Sequence, residues 1–182
     1  GLLAEGIPAQ SRIAVMGKNS DWYYELLIGC AKADMVTVGI NWRLAPPEVA
    51  YLLNDAEARI LFVGKEFIPL YESIKSQLPS IQKVIVLADR DATYLTFAQW
   101  RAAQPTHDPD IDVQPHAVAV QMYTSGTTGH PKGVQVAHLV GGLAAGHDDP
   151  ARTVDARGDG RHLGGSVGPA GGAGDGQAPH HA

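Results

Sequence analysis

Residues 123–134, Tyr-Thr-Ser-Gly-Thr-Thr-Gly-His-Pro-Lys-Gly-Val, constrain this chain more than any other stretch. An apolar run over 117–123 leads in, and a short alternating run over 134–137 leads out. That order predicts a strand, a tight glycine-rich loop and a second strand. Gly126 and Gly129 let the backbone turn and approach a ligand with no Cβ in the way. Successive N–H groups and the hydroxyls of Ser125, Thr127 and Thr128 can converge on anionic oxygens, and Lys132 adds a full positive charge. A polyphosphate suits such a loop.

The spacing is not that of a Walker A loop, which needs a second glycine just before the lysine, a hydroxyl just after it and a helix beyond. Here Pro131 precedes Lys132, Gly133 follows it, and a β-rich run comes next. The order Thr124-Ser125-Gly126-Thr127-Thr128-Gly129, then Pro131-Lys132-Gly133, instead resembles the phosphate-binding signature of the adenylate-forming (AMP-binding) family. That family includes acyl-CoA synthetases, adenylation domains of peptide synthetases and luciferases. His130 falls at the signature's variable position.

Upstream, apolar periodicity alternates between short strands and helices. Strands are predicted over 12–16, 36–40, 59–63 and 83–88. The first helix follows the caps Asn19 and Ser20, with Tyr23, Leu26, Leu27, Cys30 and Ala31 on its inner face. The second starts at Pro46 or Pro47, where proline is tolerated, and turns Val49, Leu52, Leu53 and Ala56 inward. A third stripe runs from Phe67 to Leu78, and a short helix covers 96–103. Residues 104–115, rich in Asp and Pro, read as a linker-like loop. The fold class is α/β: a partial doubly wound, mainly parallel sheet covered on both faces. Ligands of such sheets bind beyond the strand ends, where the Ser125 loop is expected.

Two further stretches extend the resemblance. Residues 11–20 look like the first strand and helix cap of the acyl-CoA synthetases. Ile40-Asn41-Trp42-Arg43-Leu44-Ala45-Pro46-Pro47-Glu48-Val49-Ala50-Tyr51 looks like their next signature, with Gly39 where proline is common. The wording Asn-Trp-Arg-Leu favours fatty-acyl or aryl CoA ligases. Read from the residues alone, it is a polar turn with an anchoring Trp42 and a salt bridge through Arg43, structural rather than catalytic. The resemblance covers residues 2–136.

Length and composition set outer limits. A chain of 182 residues holds one sizeable core, or a core and a tail. Its net charge of −5 offers no basic face to neutralise nucleic-acid phosphates. A single cysteine, Cys30, rules out an internal disulfide and reads as a small core residue. No signal peptide or long apolar span is visible, so the chain reads as cytoplasmic with no transmembrane segment. It also reads as beginning in mid-domain.

After Ala137 the character changes. Residues 138–182 contain no Phe, Trp, Tyr, Ile or Lys but 12 of the 21 glycines, too little apolar bulk to offset the entropy of ordering. The expected organisation is therefore a domain fragment over 1–137 and a disordered Gly-rich tail over 138–182. The swing to Gly, Ala, Arg, Asp, Pro and His resembles out-of-frame translation of GC-rich DNA. Neither Arg157-Gly158-Asp159, nor His180-His181, nor Asp148-Asp149 makes a site: a tripeptide recurs by chance, and the pairs lack a closed ligand set.

The resemblance implies an AMP-forming ligase that joins a carboxylic acid, a fatty acid by preference, to coenzyme A, with ATP and Mg²⁺. Thr124, Ser125, Gly126, Thr127, Thr128, Gly129 and Lys132 would then form the ATP-phosphate site. The adenine and Mg²⁺ motif, the ribose aspartate and the catalytic lysine of that family lie downstream of this loop. His107, Asp110 and His116 make no base-and-nucleophile arrangement to replace them, so no catalytic residue and no metal ligand is assigned. The chain alone is expected to be inactive. Two alternatives remain: a weak nucleotide-binding module or half of a split enzyme with a complementing C-terminal polypeptide, and a non-enzymatic interaction protein using the tail.

Overall fold

The computed structural model describes residues 1–124, 130–139 and 154–155. Its frame is a seven-stranded sheet built from β1 (Arg12–Met16), β2 (Val36–Ile40), β3 (Ile60–Gly64), β4 (Lys83–Leu87), β5 (Val118–Thr124), β6 (Lys132–Ala137) and β7 (Val154–Asp155). The order across the sheet is β4-β3-β1-β2-β5-β6-β7. Strands β1 to β5 run parallel, whereas β5–β6 and β6–β7 are antiparallel. Helices α1 (Asp21–Lys32), α2 (Pro46–Asp55), α3 (Ile68–Ile74) and α4 (Phe97–Ala102) connect the parallel strands.

Side-chain alternation along the strands sorts the core into two layers. Ile13, Val15, Ile60, Phe62 and Ile85 meet Leu26 and Cys30 of α1 and Phe97 and Trp100 of α4. Their neighbours Ala14, Met16, Val38, Leu61 and Val63 meet Val49, Leu52 and Leu53 of α2 and Ile74 of α3. Strands buried on both faces explain why 60–64 is a continuous apolar run, with no residue of β3 exposed. The Cys30 thiol is fully buried, which pushes it up to about 12 and leaves it a packing group.

The helix ends follow the sequence signals. Ser20 caps α1 by accepting from the Tyr23 N–H, and Thr96 with Gln99 forms a capping box on α4. At α2 the Glu48 carboxylate accepts from the Ala45 N–H at 2.8 Å, and the prolines occupy the first turn. The predicted 67–78 stripe is broken into 3-10 turn, α3 and 3-10 turn. Ile74 and Leu78 of that stripe are fully buried, whereas Phe67, Leu70 and Tyr71 are half-buried.

Two features depart from the expected pattern. Arg43 makes no ion pair among the described residues; its guanidinium lies over the Trp42 ring at 4.0 Å, and Trp42 stacks on Phe67 at 5.3 Å. Within the stretch expected to be without structure, Val154–Asp155 pairs with β6 as a short edge strand.

Strand β5 joins β2 through only two paired positions, Thr37↔Val120 and Val38↔Gln121. The Gln10 side chain makes up the difference. Its amide accepts from the Val118 N–H at 3.0 Å and donates to the Val118 carbonyl at 3.3 Å, as a neighbouring strand would. Gln10 itself sits at φ 61° and its N–H donates to the Asp34 carbonyl.

Candidate functional site

Because β1 to β5 are parallel, their C-terminal ends share one edge of the sheet, and the glycine-rich segment leaves β5 at that edge. Thr124 and Lys132 are directly paired across the antiparallel β5–β6 hairpin, and both are exposed. The hairpin is therefore two residues deeper than the apolar pattern suggested, with β6 starting at Lys132 rather than Val134. Ser125, Gly126, Thr127, Thr128 and Gly129 lie outside the described residues. What the described structure supplies is the pair of strand ends, Thr124 and Lys132, on either side of them in sequence.

Helix α2 braces both of these strand ends. On the outgoing side, the Tyr51 ring stacks on His130 with centroids 4.7 Å apart, and its hydroxyl donates to the Pro131 carbonyl at 3.4 Å. On the incoming side, the Tyr123 hydroxyl donates to the Asp55 carboxylate at 2.7 Å. Tyr51 and Asp55 stand four residues apart, so one face of the helix presents both.

A chain of hydrogen bonds continues from Tyr123 into the hairpin. Its hydroxyl accepts from Gln121 Nε2 at 3.0 Å, and Gln121 Oε1 accepts from Gln135 Nε2 at 3.4 Å. Gln121 is buried and Gln135 is its cross-strand partner. Gly133 fits beneath them: a Cβ there would lie 2.8 Å from Gln121 Nε2 and 3.4 Å from the Tyr123 ring. Burial, and then the adjacent Asp55 carboxylate, push the Tyr123 phenol well above its ordinary value. It is therefore a neutral donor at physiological pH.

The mouth of the hairpin offers a threonine hydroxyl and a lysine ammonium, which suit an anion. Among the described residues no group of three or more His, Cys, Asp or Glu could hold a metal ion. Asp55, the carboxylate nearest the mouth, is engaged by Tyr123. The described donors do not fit Mg²⁺, and no step is assigned to it. His107, Asp110 and His116 lie in or next to the 104–117 loop, with no hydrogen bond from their side chains among the described contacts. No described helix is long and apolar enough to cross a membrane.

Sequence reasoning placed Thr124 and Lys132 at the mouth but missed Tyr51, Asp55, Gln121 and Gln135 as its supports. Two signals were present: an aromatic and a carboxylate one turn apart on α2, and a glutamine interrupting an otherwise apolar strand.

Comparison with known proteins bears on the family and the fold. A family model described as AMP-binding enzyme matches residues 1–154, which runs past the boundary expected at Ala137. The fatty acid–[acyl-carrier-protein] ligase ScoC of Streptomyces coeruleorubidus is 43% identical over 138 residues, covering 75% of this chain and 25% of that protein. The 3-methylmercaptopropionyl-CoA ligase of Ruegeria pomeroyi is 34% identical over 142 residues, covering 73% of this chain and 26% of its own. Among solved structures, the anthranilate CoA ligase AuaEII in complex with anthranoyl-AMP superposes with a TM-score of 0.71 at 35% identity, over 75% of this chain and 27% of that one. The N-terminal domain of FACL13 from Mycobacterium tuberculosis gives 0.68 at 33% identity, over 75% and 33%. The chain thus spans about a quarter of the length of the curated relatives it matches.

Proposed function

The chain belongs to the AMP-binding enzyme family, and from that premise we propose that it carries the phosphate-loop part of an AMP-forming acid–thiol ligase. In such a reaction the carboxylate oxygen attacks the α-phosphorus of ATP and the bond to pyrophosphate breaks. A thiol sulfur then attacks the acyl carbon, and AMP leaves with the electron pair of the mixed anhydride. The demand on this part of the protein is to hold the leaving pyrophosphate in place and offset its charge.

The observation that supports the reading most is the register that sets Thr124 opposite Lys132 at the sheet's C-terminal edge. Ser125, Thr127 and Thr128 would hold the β- and γ-phosphates through their hydroxyls, with Gly126 and Gly129 admitting backbone N–H groups. Lys132 would neutralise charge, and Thr124 would orient the loop. The acid is a carboxylic acid of fatty or aryl type, and coenzyme A is the acceptor. The 43%-identical relative, a fatty acid–[acyl-carrier-protein] ligase, favours a second acceptor, an acyl carrier protein. ATP and coenzyme A supply would place the reaction in the cytoplasm, with Mg²⁺ ligands coming from elsewhere in the enzyme.

The 182-residue polypeptide by itself binds ATP weakly, with a Kd on the order of 1 mM, or about 4 kcal/mol, and does not complete adenylation. Titration calorimetry with ATP and with pyrophosphate tests the first statement, and no heat from either ligand overturns it. Carboxylate-dependent exchange of labelled pyrophosphate into ATP tests the second, and exchange above background by this polypeptide alone overturns it.

A further inference from the structure

A cavity of about 470 Å³ opens between the end of α2 and the first residues of β1 and β3. It lies at the N-terminal ends of the parallel strands, the sheet edge opposite the one where Thr124 meets Lys132. Arg12 and Arg59 line its strand wall. The Arg59 N–H donates to the Arg12 carbonyl at 2.9 Å, one step before the Ile13–Ile60 pair, so the two residues stand side by side. They alternate with Ile13 and Ile60, which pack against α1 and α4, and so both face the α2 side.

Both arginines are half-buried, and among the described residues neither guanidinium makes an ion pair. Arg12 Nη1 donates to the Gln10 carbonyl at 3.0 Å, whereas Arg59 has no side-chain hydrogen bond among the described contacts. Adjacent strands lie about 4.8 Å apart, so two like charges set there repel, the more so where water is partly excluded. The adjoining wall adds donors. Gln121, 3% exposed, spends one Nε2 proton on the Tyr123 hydroxyl, and Gln135 spends one on Gln121 Oε1, which leaves each amide a second N–H. Two carboxylates line the α2 side: Asp55 accepts from Tyr123, and Glu57 is exposed. With the negative end of the α2 dipole beside them, they confine an anion to the strand wall.

We propose that this cavity binds a phosphate group, free or carried on a small organic molecule, between Arg12 and Arg59. Each guanidinium is a planar fork that meets oxyanions through two parallel N–H bonds. Two forks side by side match the several oxygens of a phosphate, and the bound charge removes the repulsion between them. The volume falls in the roughly 300–1,000 Å³ range of small-molecule sites. The site is independent of the ligase reading, because no residue between 123 and 133 lines it.

The test uses the full 182-residue chain, inorganic phosphate as the probe, and the variants Arg12→Gln, Arg59→Gln, Arg59→Lys and Lys132→Ala. Titration calorimetry and thermal midpoints are read in phosphate and in chloride at matched ionic strength. The parent is expected to bind phosphate and to melt higher in it than in chloride. Each glutamine variant should weaken binding about tenfold or more, the loss of a charge-assisted contact. Arg59→Lys keeps the charge without the fork and should fall between. Lys132→Ala should retain the binding, which separates this cavity from the hairpin mouth. In chloride neither glutamine variant should melt below the parent, since each removes one of two like charges. Glycerol phosphate, run beside the free ion, binds more tightly if the ligand carries an organic group and no better if it is phosphate alone.

No phosphate binding by the parent overturns the proposal, and so does a loss confined to Lys132→Ala. Equal stabilisation of the parent and both glutamine variants by phosphate overturns it too, since that is general salt exclusion. Glutamine variants that melt lower in chloride and keep full phosphate affinity make the arginines structural only. Should a glutamine variant fail to fold, Arg59→Lys decides, and unchanged affinity there overturns the site.

Discussion

The Tyr123 hydroxyl donates to the Asp55 carboxylate at 2.7 Å, tying the strand that enters the glycine-rich segment to the last turn of α2. The contact joins a half-buried phenol to an exposed carboxylate, so its stabilisation is modest and its geometric effect larger. Tyr123→Phe is expected to cost about 1 kcal/mol, read as a shift in the urea midpoint.

The same pair sets a pH dependence. Burial first, and then Asp55, raise the Tyr123 phenol above its unfolded value of about 10. The native state keeps the proton while the unfolded chain loses it. The contribution of Tyr123 is therefore complete below about pH 10 and lost as pH rises toward the folded value. The stability difference between the parent chain and Tyr123→Phe should shrink above pH 10; a constant difference would count against the assignment.

Gly133→Ala places a methyl group 2.8 Å from Gln121 Nε2. A glutamine tip at a surface would swing away, but this one is 3% exposed and bonded to both Tyr123 and Gln135. Making room breaks at least one of those bonds, for an expected loss of about 1–3 kcal/mol. Equilibrium unfolding measures it, and a neutral substitution would show that the glutamine pair is free to move.

Lys132→Ala should leave stability within about 0.5 kcal/mol, because the side chain is exposed. On the phosphate reading it weakens pyrophosphate binding by about tenfold, a charge-assisted contact of roughly 1.4 kcal/mol. That loss should fade at high salt, where screening already weakens the parent interaction. Equal affinity of parent and variant at low salt would remove Lys132 from the site.

His138 is 4% exposed at the far end of β6, and its Nε2 has no hydrogen-bond partner among the described residues. Burial lowers its pKa, with Asp34 opposing the shift. A folded value below the unfolded 6.5 means the contribution is present above pH 6.5 and is lost as pH falls through the folded value. His138→Gln should flatten the decline in unfolding free energy between pH 7.5 and pH 5, and parallel curves for the two proteins would exclude it.

Much of the sheet was legible without coordinates. The apolar runs at 12–16 and 36–40 are β1 and β2 to the residue, and Ser20 caps α1 as its chemistry requires. Lys132 and Gly133 were not legible as strand. They pair because Thr124 and Tyr123 stand opposite, and backbone pairing at a hairpin mouth needs no apolar side chain. Arg43 was expected to find a carboxylate and instead covers Trp42, since the turn sets the two side chains side by side.

The sequence by itself determined the α/β class, the limits of β1 and β2 and the chemical character of residues 124–132. Each of these follows from local causes: the two-residue period of a pleated strand, the 3.6-residue period of a helix, and the shape of glycine. Only the tertiary structure decided that Gln10 completes the edge of β5, or that Tyr51 and Asp55 brace the glycine-rich hairpin. Those contacts join residues 68 to 108 positions apart, and no local period encodes them. The Tyr51 and Asp55 contacts exist because packing α2 onto the buried sheet brings its exposed turn against a strand that arrives much later in the chain.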